Sequence, residues 1–97
     1  MIFVYEKPQR MSFWMLNTSI PLDVGFFDSH GVLREIHPLI PHDRSTVASR
    51  ASNLRFALEV PRGWFASKQI QPGAQLNLRD LREALLGRGF TPERYGL

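Results

Sequence analysis

LDVGFFDSHGVLREIHPL, residues 22–39, is the stretch whose reading decides the fold. Leu22–Phe27 is dense in β-branched and aromatic side chains, which is strand composition. Asp28–Gly31 (DSHG) reads as a hairpin loop in which Gly31 can take the left-handed conformation that returns the chain to the ladder. Val32–Leu39 is then the returning strand. Ile20, Leu22, Val24 and Phe26 share one face of the first strand, and Asp23, Gly25 and Phe27 share the other.

Working outward, Leu54, Phe56, Leu58 and Val60 alternate with Arg55, Ala57 and Glu59, the period of a strand with one face on the core, and Pro61 ends it. At the N-terminus Ile2–Glu6 reads as a strand, Lys7–Arg10 (KPQR) as a turn, and Met11–Met15 as its returning neighbour. Pro41–Asn53 has the small, polar composition of a long surface loop. Past Pro61 the spacing predicts a short helical turn from Gly63 with Trp64 in the core, a turn at Gln71–Gly73 and a last strand at Ala74–Leu78. Leu78, Leu81, Leu85 and Leu86 then recur at helical spacing, with Asn77 as N-cap, Asp80 at N3 and Gly87 at the end, and Thr91-Pro92 begins a terminal turn.

These elements predict an all-β fold: a small jelly-roll-like β-sandwich or partly open barrel, with short helical turns and one C-terminal amphipathic helix. The β-domain takes residues 1–78, and the helix and tail, 79–97, pack on it. At 97 residues with 43% apolar content there is room for one core. Cysteine is absent, which removes disulfides, thiolate metal sites and thiol nucleophiles together. Apolar runs fall well short of the roughly 20 residues that span a bilayer, and no secretion signal is readable, so the default expectation is the cytoplasm.

The net charge of +3 is unevenly spread. Arg44, Arg50, Arg55, Arg62 and Lys68 face Glu59 alone between residues 44 and 68, so an arginine-mediated contact with an anion or nucleic acid is one option, although charges so spaced are more often a solvated surface. His42, Asp43, Ser45 and Thr46 are too close in sequence for a catalytic triad. His37 and His42 flank prolines that set an extended path, which argues against a metal pair, and no phosphate-binding glycine pattern exists. No cofactor is expected.

The segment SFWMLNTSIPLDV, residues 12–24, holds the densest mixture of polar and apolar side chains. Asp23 falls among apolar neighbours, where an unpaired carboxylate costs several kcal/mol, so it needs donors. Asn17 and Thr18 are one source; Arg50 or Arg55 is another. Either these polar residues tie a turn together, or Trp14, Asn17, Thr18, Asp23 and Phe27 line a polar-floored pocket. If the protein is an enzyme, Asp23 is its acid or base; no other catalytic residue is expected.

FWM at residues 13–15, NT at 17–18, IPLD at 20–23 and FFD at 26–28, with FALEVPRGWFASKQIQPGAQL at 56–76, resemble the family catalogued as domain of unknown function number 192. The resemblance spans residues 1–78 and implies a jelly-roll β-sandwich found widely in bacteria and archaea, with no established activity. Leu16 stands where the family usually has Lys, which takes a cation from the motif. The family's usual first strand is not represented, so an exposed sheet edge is expected, to be filled by a partner, by the C-terminal helix or by nothing. The functional expectation is a non-catalytic small-ligand or protein-interaction module, with a homodimer through the sheet edge or the C-terminal helix as a further possibility.

Overall fold

The computed structural model describes residues 1–13, 19–42 and 46–97. Among the described residues six strands, β1 (Ile2–Gln9), β2 (Ser12–Phe13), β3 (Leu22–Asp28), β4 (Leu33–Leu39), β5 (Val47–Ala48) and β6 (Leu54–Pro61), precede two helices, α1 (Trp64–Ser67) and α2 (Leu78–Gly87), and a 3-10 turn at Pro92–Tyr95. The main sheet is antiparallel in the order β1-β6-β3-β4, and β2 pairs with β5 in a separate two-stranded ladder. With β1 and β4 both at edges, the main sheet is open and does not close into a barrel.

The central strand β3 is buried on both faces. Leu22, Val24 and Phe26 pack with Met11, Leu39, Leu54 and Ala57 on one side, where Phe13 of β2 and Val47 of β5 also cover the sheet. Phe27 turns the other way and joins Leu33, Phe56, Val60, Phe65 and Leu81, so α1 and α2 close that side. Full burial of each large apolar side chain contributes about 1.5–3 kcal/mol, so Val24, Phe26 and Phe27 together supply several kcal/mol from one short run. A register shift between Phe26 and Phe27 in the β3–β4 ladder re-aims the strand as it enters the hairpin.

The hairpin is held by Asp28, whose side chain is 2% exposed. Its Oδ1 accepts from the N–H groups of His30 (2.9 Å) and Val32 (3.0 Å), and its Oδ2 accepts from Arg34 Nε at 2.8 Å. Gly31 has φ +78, as the loop requires. The C-terminal helix also forms as its spacing predicts: Asn77 caps it by accepting from Asp80 N–H at 3.1 Å, and Leu81 is buried.

Four local expectations are corrected. Lys7–Arg10 is not a turn; β1 continues through Pro8 to Gln9, which an edge strand tolerates because the missing N–H is not needed by a ladder partner. β1 pairs with β6, far away in sequence, because β6 brings an alternating apolar face; Ser12–Phe13 pairs instead with β5, and Trp14 and Met15 lie outside the described residues. Ala74–Leu78 contributes only a single bridge, Val32 to Gln75, with Leu33 N–H donating to Ala74 O. Ile20 does not extend the β3 face: it precedes the strand and is 61% exposed.

Residues 46–53 are more than a connector. Ser49 is fully buried, its Oγ accepting from Met11 N–H (3.0 Å) and donating to Ala51 O (2.9 Å). Glu35 on β4 accepts from the N–H groups of Arg50 and Ala51, at 3.0 and 2.8 Å, and lies 2.7 Å from His37 Nε2. One carboxylate thus fastens this segment to the sheet.

Burial pushes the Asp28 carboxyl up, but donors from Val32, Arg34 and His30 outweigh it and leave it below its ordinary value. Glu35 behaves alike: burial raises it, and the N–H groups of Arg50 and Ala51 with His37 bring it below the usual range. Both therefore contribute stability above the unfolded carboxylate range, roughly pH 4, and that contribution is lost as pH falls through the lowered folded values. Glu59 has the opposite sign, since burial raises it and the N-terminal amine only partly opposes this. Two outcomes are expected from urea titrations followed by circular dichroism. Asp28→Ala costs about 3 kcal/mol at pH 7 because two backbone donors lose their partner, and the loss narrows as the pH falls through the lowered folded value of the native carboxyl. Glu59→Gln raises the urea midpoint at pH 7 and leaves it nearly unchanged at low pH, where the native side chain is already protonated.

Candidate ligand groove at Asp23

Asp23 lies between Pro38 of β4 and Val60 of β6, on the sheet face that carries α1. Its side chain is 13% exposed, neither sealed nor free. Pro61 ends β6, and the chain enters α1 through Arg62 and Gly63, the latter at φ +85, a conformation that glycine takes at no steric cost. Asp23 Oδ2 accepts from Gly63 N–H at 2.9 Å, and Oδ1 lies 3.3 Å from Arg62 Nε. Arg62 Nη2 also donates to Leu39 O at 3.2 Å, and Arg62 N–H donates to Pro21 O. The carboxylate therefore ties the β6–α1 turn to β3, and the guanidinium extends the tie to the end of β4.

This turn delivers Phe65 onto the sheet. The ring packs directly over Gly25, where a Cβ would come within 2.6 Å of Phe65 Cζ and 3.1 Å of Leu33 Cδ1. After α1 the chain reverses at Gln69, a non-glycine residue at φ +58, and Ile70 N–H donates to Phe65 O at 2.8 Å. Gln69 N–H donates to Ala66 O at 3.1 Å, so the left-handed residue closes the C-terminus of α1 and turns Ile70 back toward Phe65. Asp23, Ile36, Phe65, Ala66, Gln69, Ile70 and Gln71 line an open surface groove of about 660 Å³. Its lining is mixed: Ile36, Phe65, Ala66 and Ile70 are apolar, and Asp23, Gln69 and Gln71 bring one carboxylate and two amides. That volume and lining suit a small organic molecule.

The structure gives the other candidate residues different places. Phe27 is buried in the core and does not line the groove. Trp14, Asn17, Thr18 and Arg44 lie outside the described residues. Arg55 lies near the start of β6 and Arg62 just past its end, seven residues apart, or roughly 23 Å along an extended chain, and Arg55 Nε is buried without a hydrogen-bond partner among the described residues. Arg50 is exposed, and its N–H is used by Glu35. Glu59 pairs with Val24 and so lies on the opposite face from Asp23; the two acids do not form a pair. Among the described residues no three His, Asp or Glu side chains are grouped to hold a metal ion.

Ile36, Phe65, Gln69 and Gln71 are groove residues that the sequence reading does not single out. Phe65 carries a signal only in hindsight of topology, because its neighbour Gly25 is 40 positions away. The left-handed Gln69 has no signature in residue type.

The sequence profile of one family matches residues 1–78. The chain belongs to the DUF192 family, described as Uncharacterized ACR. Two solved structures are similar to this DUF192 chain. One is a Sinorhizobium meliloti 1021 protein described as a "putative transcription regulator", 32% identical with a TM-score of 0.75, over 79% of this chain and 60% of that one. The other is a protein of unknown function from Novosphingobium aromaticivorans DSM 12444, 33% identical with a TM-score of 0.71, over 77% and 54%. The chain thus spans somewhat more than half the length of each. No functionally curated protein matches it. Among the described residues no helix is long and apolar enough to cross a membrane.

Asp23→Ala removes the acceptor for Gly63 N–H and the Arg62 contact, and is expected to lower stability by about 1–2 kcal/mol while the fold persists. Gly25→Ala is expected to cost more, about 2–3 kcal/mol, because buried Phe65 must leave its position. Urea unfolding of the two variants checks the ranking, and the Phe65 ring resonances in a proton NMR spectrum should move in Gly25→Ala.

Proposed function

We propose that this DUF192 chain is a non-catalytic small-ligand binding module whose site is the Asp23 groove. The observation that carries the reading is a carboxylate held in one orientation, by Gly63 N–H and Arg62, at the margin of a partly apolar groove. A preoriented acceptor next to Ile36, Phe65 and Ile70 favours a ligand with an apolar body and a hydrogen-bond donor, such as an amine, an alcohol or an amide. An acid or base role for Asp23 has less support, since both of its oxygens already face donors. The finer architecture in this reading is a jelly-roll-like β-sandwich, supported by the β2–β5 ladder covering one face of the main sheet through Phe13 and Val47.

The regulatory description of the Sinorhizobium meliloti relative fits a sensing role better than a direct nucleic-acid contact in this chain. Arg55 and Arg62, near opposite ends of one strand, do not form a basic patch.

The test is a library of small amines, alcohols and amides screened by proton–nitrogen NMR against the wild type and Ala66→Trp. Ala66 is exposed and lines the groove, so an indole there competes for its space while Asp23, Arg62 and Gly63 are themselves unchanged. Binders are expected to shift the amides of Gly63, Phe65 and Gln69–Gln71 in the wild type and to lose this effect in Ala66→Trp. Absence of binders, or binders indifferent to Ala66→Trp, overturns the reading.

A further inference from the structure

The free edge of β1 runs beside a second, more apolar groove. Met1 and Glu59 exchange both backbone hydrogen bonds, each at 2.8 Å, and the register continues through Phe3 opposite Ala57. Backbone groups alternate sides along a strand, so the N–H and C=O of Ile2 and Val4 point away from β6. Among the described residues no donor or acceptor reaches them. The side chains of these same two residues line a groove of about 680 Å³, closed on its other side by Leu81, Ala84 and Leu85 of α2 with Phe90 and Tyr95 beyond it. Met1 also lines it, and much of its apolar surface is open, for Met1 is 78% exposed and Phe90 49%.

The charges around this groove are uneven. Arg82 pairs with Glu93 at 2.7 Å and Arg94 with Glu6 at 2.6 Å. Arg88, which lines the groove, has no carboxylate among the described residues. The far half of the edge is guarded: Lys7 and Pro8 follow, and the register shifts between Val4 and Gln9, features that block strand pairing. The open part is therefore short, apolar on its groove side and cationic at its rim.

We propose that this edge and groove dock an extended polypeptide segment of a partner protein that carries apolar side chains at alternate positions and an acidic residue. The segment adds to the sheet beside Ile2–Val4, sets its apolar side chains between β1 and α2, and places its carboxylate on Arg88. A small molecule would leave the row of backbone groups unused. A second copy of this chain fits less well on charge, because the acid nearest its own β1 edge, Glu6, is already taken by Arg94.

The test uses a fluorescent, end-blocked peptide of about nine residues, alternating valine and threonine with one glutamate, and a control with lysine in place of the glutamate. Fluorescence anisotropy reads affinity, and NMR hydrogen exchange reads the edge. Binding of the glutamate peptide is expected to slow exchange of the Ile2 and Val4 amides. Arg88→Glu, at an exposed position, is expected to weaken it on the order of tenfold and to bind the lysine peptide in its place. The proposal is overturned by unprotected Ile2 and Val4 amides, by equal binding of both peptides to the wild type, or by a concentration-dependent dimer in light scattering that protects those amides without peptide.

Discussion

Burial of β3 on both faces is the constraint from which the rest of the structure follows. A strand that is apolar on alternate sides cannot rest on one layer, so Val24 and Phe26 call for a cover on one face and Phe27 for another. The β2–β5 ladder with Met11 supplies the first cover, and α1 with α2 supplies the second. Gly25 sets how closely the second can approach, since its missing Cβ is what lets Phe65 lie against the sheet.

Around that core, three acids do the fastening. Asp28 closes the β3–β4 hairpin, Glu35 holds residues 50–51 against β4, and Asp23 ties the β6–α1 turn. Each accepts from backbone N–H groups that the turns would otherwise leave unpaired, which converts the cost of bringing a carboxylate out of water into fixed loop geometry. At Asp28 and Glu35 this arrangement links stability to pH, and Glu59, without such donors, is a carboxylate that burial disfavours.

The helices occupy one face of the main sheet but do not cover all of it. α1 sits toward β3 and β4 and leaves the Asp23 groove; α2 sits toward β1 and leaves the groove at Ile2 and Val4. The first is lined by a preoriented acceptor and suits a small molecule. The second borders free backbone groups and suits an extended chain. Phe27 and Phe56 belong to the core under that face, and the two grooves share no lining residue, so the two proposed sites are separate surfaces.

The local sequence by itself determined the β3–β4 hairpin, the alternation of β6 from Phe56 to Val60 though not at Leu54, which a register shift turns to the other face, the capped helix at Asn77 and the family. These depend on neighbours within a few residues: a turn glycine, a period of two, an Asn three positions before an amide. It also pointed to Asp23 as a carboxylate in need of donors, but not to the donors, because Gly63 and Arg62 come to it from about 40 positions away. Tertiary structure alone decided that β1 runs on through Pro8 and pairs with β6, that Ser49 is a buried anchor in a stretch of loop-like composition, and that Phe27 belongs to the core. The reason is common to all three. Burial is set by which surfaces meet across the sheet, and residue type reports only what a side chain needs once it is there.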